Sequence, residues 1–122
     1  MHILIVEDDA NLRYALLRLL ERAGHTTCWA ATGDGALRLL RTEPIELMLL
    51  DMLLPDTSGW DVRRDQLADP TMAQIPVIVI SGMSMDQVNS PMSTVQLVML
   101  KPLDPDHLLA AIEHIGELTK LR

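Results

Sequence analysis

Four short apolar runs without polar alternation constrain this chain most. They are Ile3-Leu4-Ile5-Val6, Leu47-Met48-Leu49-Leu50, Val77-Ile78-Val79-Ile80 and the run ending in Leu97-Val98-Met99-Leu100. A strand with one face in water alternates; a strand apolar at every position needs both faces covered, as in a parallel sheet flanked by helices. Thr26 to Ala30 reads as a fifth, less apolar strand. The first strand is entered through His2, Pro76 starts the fourth, where a missing N–H is tolerated, and Gln96 starts the fifth.

The segments between the runs carry a helical period. From Asn11 to Ala23, residues Leu12, Leu16, Leu19, Leu20 and Ala23 share one face, with Arg13, Arg18 and Arg22 off it, and Gly24 is placed to stop the helix. Thr32 is positioned to cap a helix over 33–41 that turns Ala36, Leu37 and Leu40 inward. A third helix opens at Ser58 or Gly59 and runs to about Leu67, with Trp60, Val62 and Leu67 its only apolar residues. Asp104 caps the last helix, Pro105 occupies its first turn, and Leu108, Ala111, Ile112, Ile115 and Leu118 form its inward face. Met83 to Thr94 is irregular, interrupted by Asn89-Ser90 and Pro91. Five strands alternating with helices predict one α/β domain over 1–122, built on a doubly wound parallel sheet.

Bulk composition excludes several function classes. The chain of 122 residues carries 17 acidic and 10 basic side chains, a formal charge of −7, and no basic stripe. It is not expected to bind nucleic acid directly. Its single cysteine, Cys28, cannot close an internal disulfide, which suits a reducing cytoplasm; Cys28 falls in a strand and is expected to be buried rather than reactive. The start lacks a basic n-region, and apolar runs broken by Asp51 or Pro55 are too short for a membrane span. His2, His25, His107 and His114 have no metal-site spacing and read as surface or structural residues.

In a parallel sheet all carboxyl ends of the strands share one edge, where ligands collect. Strand one delivers Glu7 and Asp8 there, strand three Asp51, strand four Ser81 and strand five Lys101. Crowded carboxylates resist sharing a site unless a cation neutralises them, and hard oxygen ligands suit Mg²⁺ (or Mn²⁺). An acidic pair, a metal, a carboxylate nucleophile, a hydroxyl and a lysine are the parts that phosphoryl transfer to Asp51 needs. Taken singly, each is better explained as a solvated loop acid or helix cap, a turn former or a surface lysine; the case rests on all five meeting at successive strand ends.

With those residues placed, the sequence resembles the receiver domain of two-component response regulators, over essentially its whole length. I-L-I-V-E-D-D resembles the family's opening strand and acidic pair, L-L-D-M-L-L-P-D-T-S-G its phosphoacceptor strand and loop, I-P-V-I-V-I-S-G its hydroxyl-bearing strand, and L-K-P-L-D its lysine-proline turn. The resemblance implies the flavodoxin-like receiver fold with strand order 2-1-3-4-5, here with an irregular region where a fourth helix would lie. It implies phosphorylation of Asp51, with Asp8 binding Mg²⁺ directly, Glu7 through water, and Asp51 and the Leu53 backbone carbonyl completing the protein ligands. Ser81 would hydrogen-bond the phosphoryl group and Lys101 would pair with it. Asp9 is read as the cap of helix one, and Lys101-Pro102 as a candidate cis peptide.

The implied partners are a sensor histidine kinase or histidine phosphotransfer protein as donor, and an output domain or downstream protein as receiver of the signal. The chain would be no turnover enzyme but a phosphoacceptor that assists its own phosphorylation and dephosphorylation. The sequence departs from the pattern at Val98, where receivers carry an aromatic, and between Ser81 and Lys101, which is about two residues short. Two expectations follow: that phosphorylation orders the segment from Met83 to Thr94, and that apolar Leu53 and Met83, unable to orient water, make self-dephosphorylation slow.

Two other function classes stay open at this stage. One is a receiver-like protein-binding module acting without phosphorylation. The other is an aspartate-nucleophile phosphatase of the haloacid dehalogenase type, which needs a second Asp where Leu53 stands. Flavodoxin-type cofactor binding is disfavoured because acids, not a phosphate-cradling loop, follow strand one.

Overall fold

The computed structural model describes residues 1–82, 95 and 97–120. Expectations about Met83 to Thr94, and Gln96 as the start of the fifth strand, lie outside the described residues. The elements are β1 (His2–Val6), α1 (Ala10–Arg22), β2 (Thr26–Ala30), α2 (Gly33–Thr42), β3 (Leu47–Asp51), α3 (Gly59–Ala68), β4 (Val77–Ser81), β5 (Leu97–Leu100) and α4 (Pro105–Lys120). The five strands form one parallel sheet in the order β2-β1-β3-β4-β5.

The unalternating runs are buried on both faces, as expected of strands between helical layers. Every residue of β3 and β4 is buried. Because successive side chains point to opposite faces, the sheet divides the core in two. Leu4, Val6, Met48, Leu50, Val77 and Val79 pack with Ala36 and Leu40 of α2 and Val62 of α3. Ile3, Ile5, Leu47, Leu49, Ile78 and Ile80 pack with Leu16 and Leu20 of α1 and Leu108, Ile112 and Ile115 of α4. Each such Val, Leu, Ile or Met side chain removed from water contributes about 1.5–3 kcal/mol before entropy is counted.

Side chains fix most helix ends where the sequence placed them. Asp9 Oδ1 accepts from the Asn11 and Leu12 amides at 2.9 and 3.4 Å. Thr32 Oγ1 accepts from Gly35 at 3.0 Å, Ser58 Oγ from Asp61 at 3.3 Å, and Asp104 Oδ1 from Asp106 at 3.0 Å. Each satisfies an amide that the first helical turn leaves without a partner. Gly24, at φ +94°, ends the turn after α1 in the left-handed region that favours glycine.

The inward faces need two corrections. Ala23 follows the last residue of α1 and is exposed, and Leu118, in the last turn of α4, is 49% exposed. Helix α3 departs most from an apolar pattern. Its buried positions include Arg63 at 5% and Gln66 at 0% exposure, while Leu67 is 42% exposed. Gln66 earns its place by hydrogen bonds: Nε2 donates to the Met72 and Ile75 carbonyls, both at 3.0 Å, and Oε1 accepts from Arg63 at 2.7 Å. It thereby pins the connection from α3 to β4. No described helix is long and apolar enough to cross a membrane.

Candidate functional site

Strand register brings the predicted residues to one edge. Val6 lies opposite Leu50, Asp51 opposite Ile80 and Ser81 opposite Leu100. The residues that follow β1, end β3 and β4, and follow β5 therefore emerge side by side. The Lys101 amide donates to the Ser81 carbonyl at 2.8 Å, which carries the pairing of β4 and β5 one residue past the strand. The Lys101-Pro102 peptide is cis.

Glu7, Asp8 and Asp51 each offer a carboxylate oxygen within 4.8 Å of the others. Their exposures differ sharply: Glu7 and Asp51 are buried and Asp8 is exposed. Lys101 Nζ reaches into the cluster, 2.8 Å from Glu7 Oε1 and 3.2 Å from Asp51 Oδ2. The ammonium thus neutralises carboxylates here. Burial acts to lower the Lys101 pKa, but its hydrogen bond to Glu7 and the charges of Asp51 and Glu7 outweigh this and raise it. Glu7 is pushed up to about 7, first by burial and then by its hydrogen bond to Asp51, with Lys101 opposing both. Of this pair Glu7 is the group that titrates near neutrality, and Lys101 stays charged.

The donor set fits a hard divalent cation. Among the described residues the buried Glu7 Oε2 has no hydrogen-bond partner, and it is an oxygen that a metal-bound water would satisfy. The loop after β3 runs beside this cluster. Leu53 forms an isolated antiparallel bridge with Ser58, framed by Gly59 N–H to Met52 C=O at 2.8 Å and Leu54 N–H to Thr57 C=O at 3.2 Å. In such a pair the residue between the two bonds turns its own N–H and C=O away from its partner. The Leu53 N–H accordingly donates to Asp51 Oδ1 at 3.2 Å, so the Leu53 carbonyl lies on the side of the acidic cluster. Its side chain is 67% exposed. Gly59 is required here: a Cβ on it would stand 2.8 Å from the Asp51 carbonyl oxygen and 3.0 Å from Met52 Sδ.

Ser81 is fully buried at the end of β4, and Val98, half-buried in β5 opposite Val79, packs with the α2/α3 side of the core. Cys28 is half-buried, and burial raises its thiol pKa. Two neighbours of the site escaped the sequence reading. Arg13 Nη1 donates to the Glu7 carbonyl at 3.0 Å and stacks on Trp29, 4.0 Å from the ring centroid. Asp56, at the tip of the loop after β3, accepts from the Gly33 and Asp34 amides at 2.8 and 3.1 Å. Neither has a local sequence pattern, since both partners are distant in the chain or in the backbone.

Comparisons with known proteins agree on one family. Residues 3–113 match the family model described as "Response regulator receiver domain". PilH of Pseudomonas aeruginosa is 30% identical over 115 residues, covering 93% of this chain and 95% of its own length. The probable transcriptional regulator ycf27 of Cyanidium caldarium is 29% identical over 116 residues, 93% of this chain but 45% of its own. The chain spans about half the length of several curated relatives it matches. Among solved structures, a CheY-like response regulator receiver domain protein from Methanospirillum hungatei is 30% identical, with a TM-score of 0.84, covering 99% of this chain and 98% of that one.

Proposed function

The chain belongs to the response regulator receiver domain family of two-component systems, and from that premise we propose that Asp51 is its phosphoacceptor, working with Mg²⁺ held at Glu7, Asp8, Asp51 and the Leu53 carbonyl. The observation that carries this reading is the meeting of three carboxylates within 4.8 Å beside the Lys101 ammonium. Bound Mg²⁺ would neutralise the phosphoryl oxygens.

The remaining steps fall to side chains. An Asp51 carboxylate oxygen attacks phosphorus in line while the N–P bond of a partner's phosphohistidine breaks, and the departing imidazole nitrogen keeps the electron pair. Lys101, 3.2 Å from Asp51 Oδ2, exchanges carboxylate for phosphoryl oxygen as its partner. The Ser81 hydroxyl, at the adjacent strand end, donates to the same group. The donor is a sensor histidine kinase or a histidine phosphotransfer protein, the domain acts in the cytoplasm, and its product passes a signal to an output domain or a downstream protein. The chain is a phosphoacceptor that assists its own phosphorylation and dephosphorylation, not a turnover enzyme.

Intact-mass spectrometry after incubation with acetyl phosphate tests this, with and without Mg²⁺ and with Asp51→Ala alongside. One metal-dependent phosphoryl adduct, missing from the variant, is expected. No adduct despite Mg²⁺ binding would replace this reading with that of a binding module that works unphosphorylated.

A further inference from the structure

The loop after β3 is held from outside the site, by backbone amides of α2 that are distant from it in sequence. Asp56 sits at the tip of the turn closed by Leu54 N–H to Thr57 C=O. Its two carboxylate oxygens take separate amides of the first turn of α2, Oδ1 from Gly33 at 2.8 Å and Oδ2 from Asp34 at 3.1 Å. These donors have no partner within the helix, and the helix N-terminus favours a negative charge. They hold the Asp56 carboxyl below the usual carboxylate range, so it stays ionised. Beside it, Thr57 and Val62 press on Gly33 so closely that a Cβ there would meet both Thr57 Cγ2 and Val62 Cγ2. Loop and helix therefore fit in one arrangement.

We propose that Asp56 is a positioning residue for the divalent cation: by tying the loop tip to the start of α2 it fixes the Leu53–Ser58 bridge, and with it the aim of the Leu53 carbonyl at the acidic cluster. The proposal rests on the Mg²⁺ site of the preceding section. The chain of connection is short. Asp56 lies in the turn that the Leu54–Thr57 backbone bond closes, that turn adjoins the Leu53–Ser58 bridge, and the Leu53 amide of the bridge donates to Asp51. Partners that orient metal ligands without touching the metal commonly change affinity 10- to 100-fold.

The test is an NMR titration with MgCl₂ of wild type, Asp56→Ala, Asp56→Asn and Thr32→Ala, at a temperature where circular dichroism shows all four folded. The readout is the amide shifts of Leu53 and Asp8. Asp56→Ala is expected to raise the Mg²⁺ Kd about tenfold. Asp56→Asn keeps one neutral oxygen acceptor and should rescue part of this. Thr32→Ala removes the cap that Thr32 gives α2 through Gly35, without touching the loop, and should leave Kd within about twofold of wild type. An unchanged Kd in Asp56→Ala, or equal weakening in Asp56→Ala and Thr32→Ala, would overturn the positioning role while leaving the metal site intact. If wild type shows no saturable shifts that Asp51→Ala abolishes, the metal site fails and this role with it.

Discussion

Replacing Gly59 and Gly116 by alanine makes the same chemical change at two sites with opposite expected signs. A Cβ at Gly59 would stand 2.8 Å from the Asp51 carbonyl oxygen, 3.0 Å from Met52 Sδ and 3.1 Å from Met52 Cα. Two of these are backbone atoms at the end of a central strand, where Met52 N–H is bonded to Ile80 C=O at 3.2 Å. They cannot retreat, so relief requires Gly59 to move and strain its own bond to the Met52 carbonyl. Overpacking of this kind costs about 1–3 kcal/mol, and the lower entropy of an unfolded alanine returns about 0.4–1. The net loss should be about 1–2 kcal/mol, a fall in Tm of roughly 5 °C for a domain this size. Gly116 lies inside α4, and among the described residues its added Cβ would meet only Met1 Sδ at 3.3 Å, the end of a flexible side chain. Helix propensity then dominates and should stabilise by up to about 1 kcal/mol. Urea unfolding followed by far-ultraviolet circular dichroism measures both. Gly59→Ala as stable as wild type, or both variants shifting in one direction, would refute the close-approach argument.

Three further outcomes are expected. In chelator, Glu7 has a folded pKa of about 7 against an ordinary 4.5, so its contribution is fully present below pH 4.5 and lost as pH rises through 7. Thermal melts from pH 5 to 8 should show wild type losing on the order of 3 kcal/mol that Glu7→Gln does not lose; parallel pH profiles would count against a buried, titrating Glu7. Gln66→Ala removes the side-chain donor from the Ile75 carbonyl, leaves the Met72 carbonyl with the Ile75 amide at 3.3 Å, and opens a cavity; it should cost about 3 kcal/mol in equilibrium unfolding, whereas a loss under about 1 kcal/mol would show that water replaces it freely. If the Asp51 adduct forms, Leu53→Asn should speed its decay several-fold in a phosphate-release assay, because the exposed apolar side chain of Leu53 cannot orient water; an unchanged rate would dismiss that explanation.

The sequence made the sheet legible because its strands are buried on both sides and so lack any competing period. It made the caps at Asp9, Thr32 and Asp104 legible because they act within three residues of themselves, and placed the start of α3 at Ser58 or Gly59 without naming its cap. Strand order came from the family resemblance, and the structure has the same order. What stayed hidden depends on neighbours distant in the chain. Nothing local distinguishes Glu7, which is buried, from Asp8, which is exposed; the difference arises from where β1 meets Lys101. Gln66 looks like a surface residue until the carbonyls of Met72 and Ile75 come to it. Leu118 keeps the helical period and still faces solvent, because periodicity cannot tell where the opposing layer stops.

The sheet that splits the apolar interior also separates two sets of side chains open to independent substitution. Side chains facing α2 and α3 touch one set of neighbours, and those facing α1 and α4 another. Effects of changes on opposite sides should add, since additivity fails mainly among neighbours. Either flank can then be remodelled for a new partner without renegotiating the other. The acidic edge, rooted in strands common to both, is the one place where the two sides must agree.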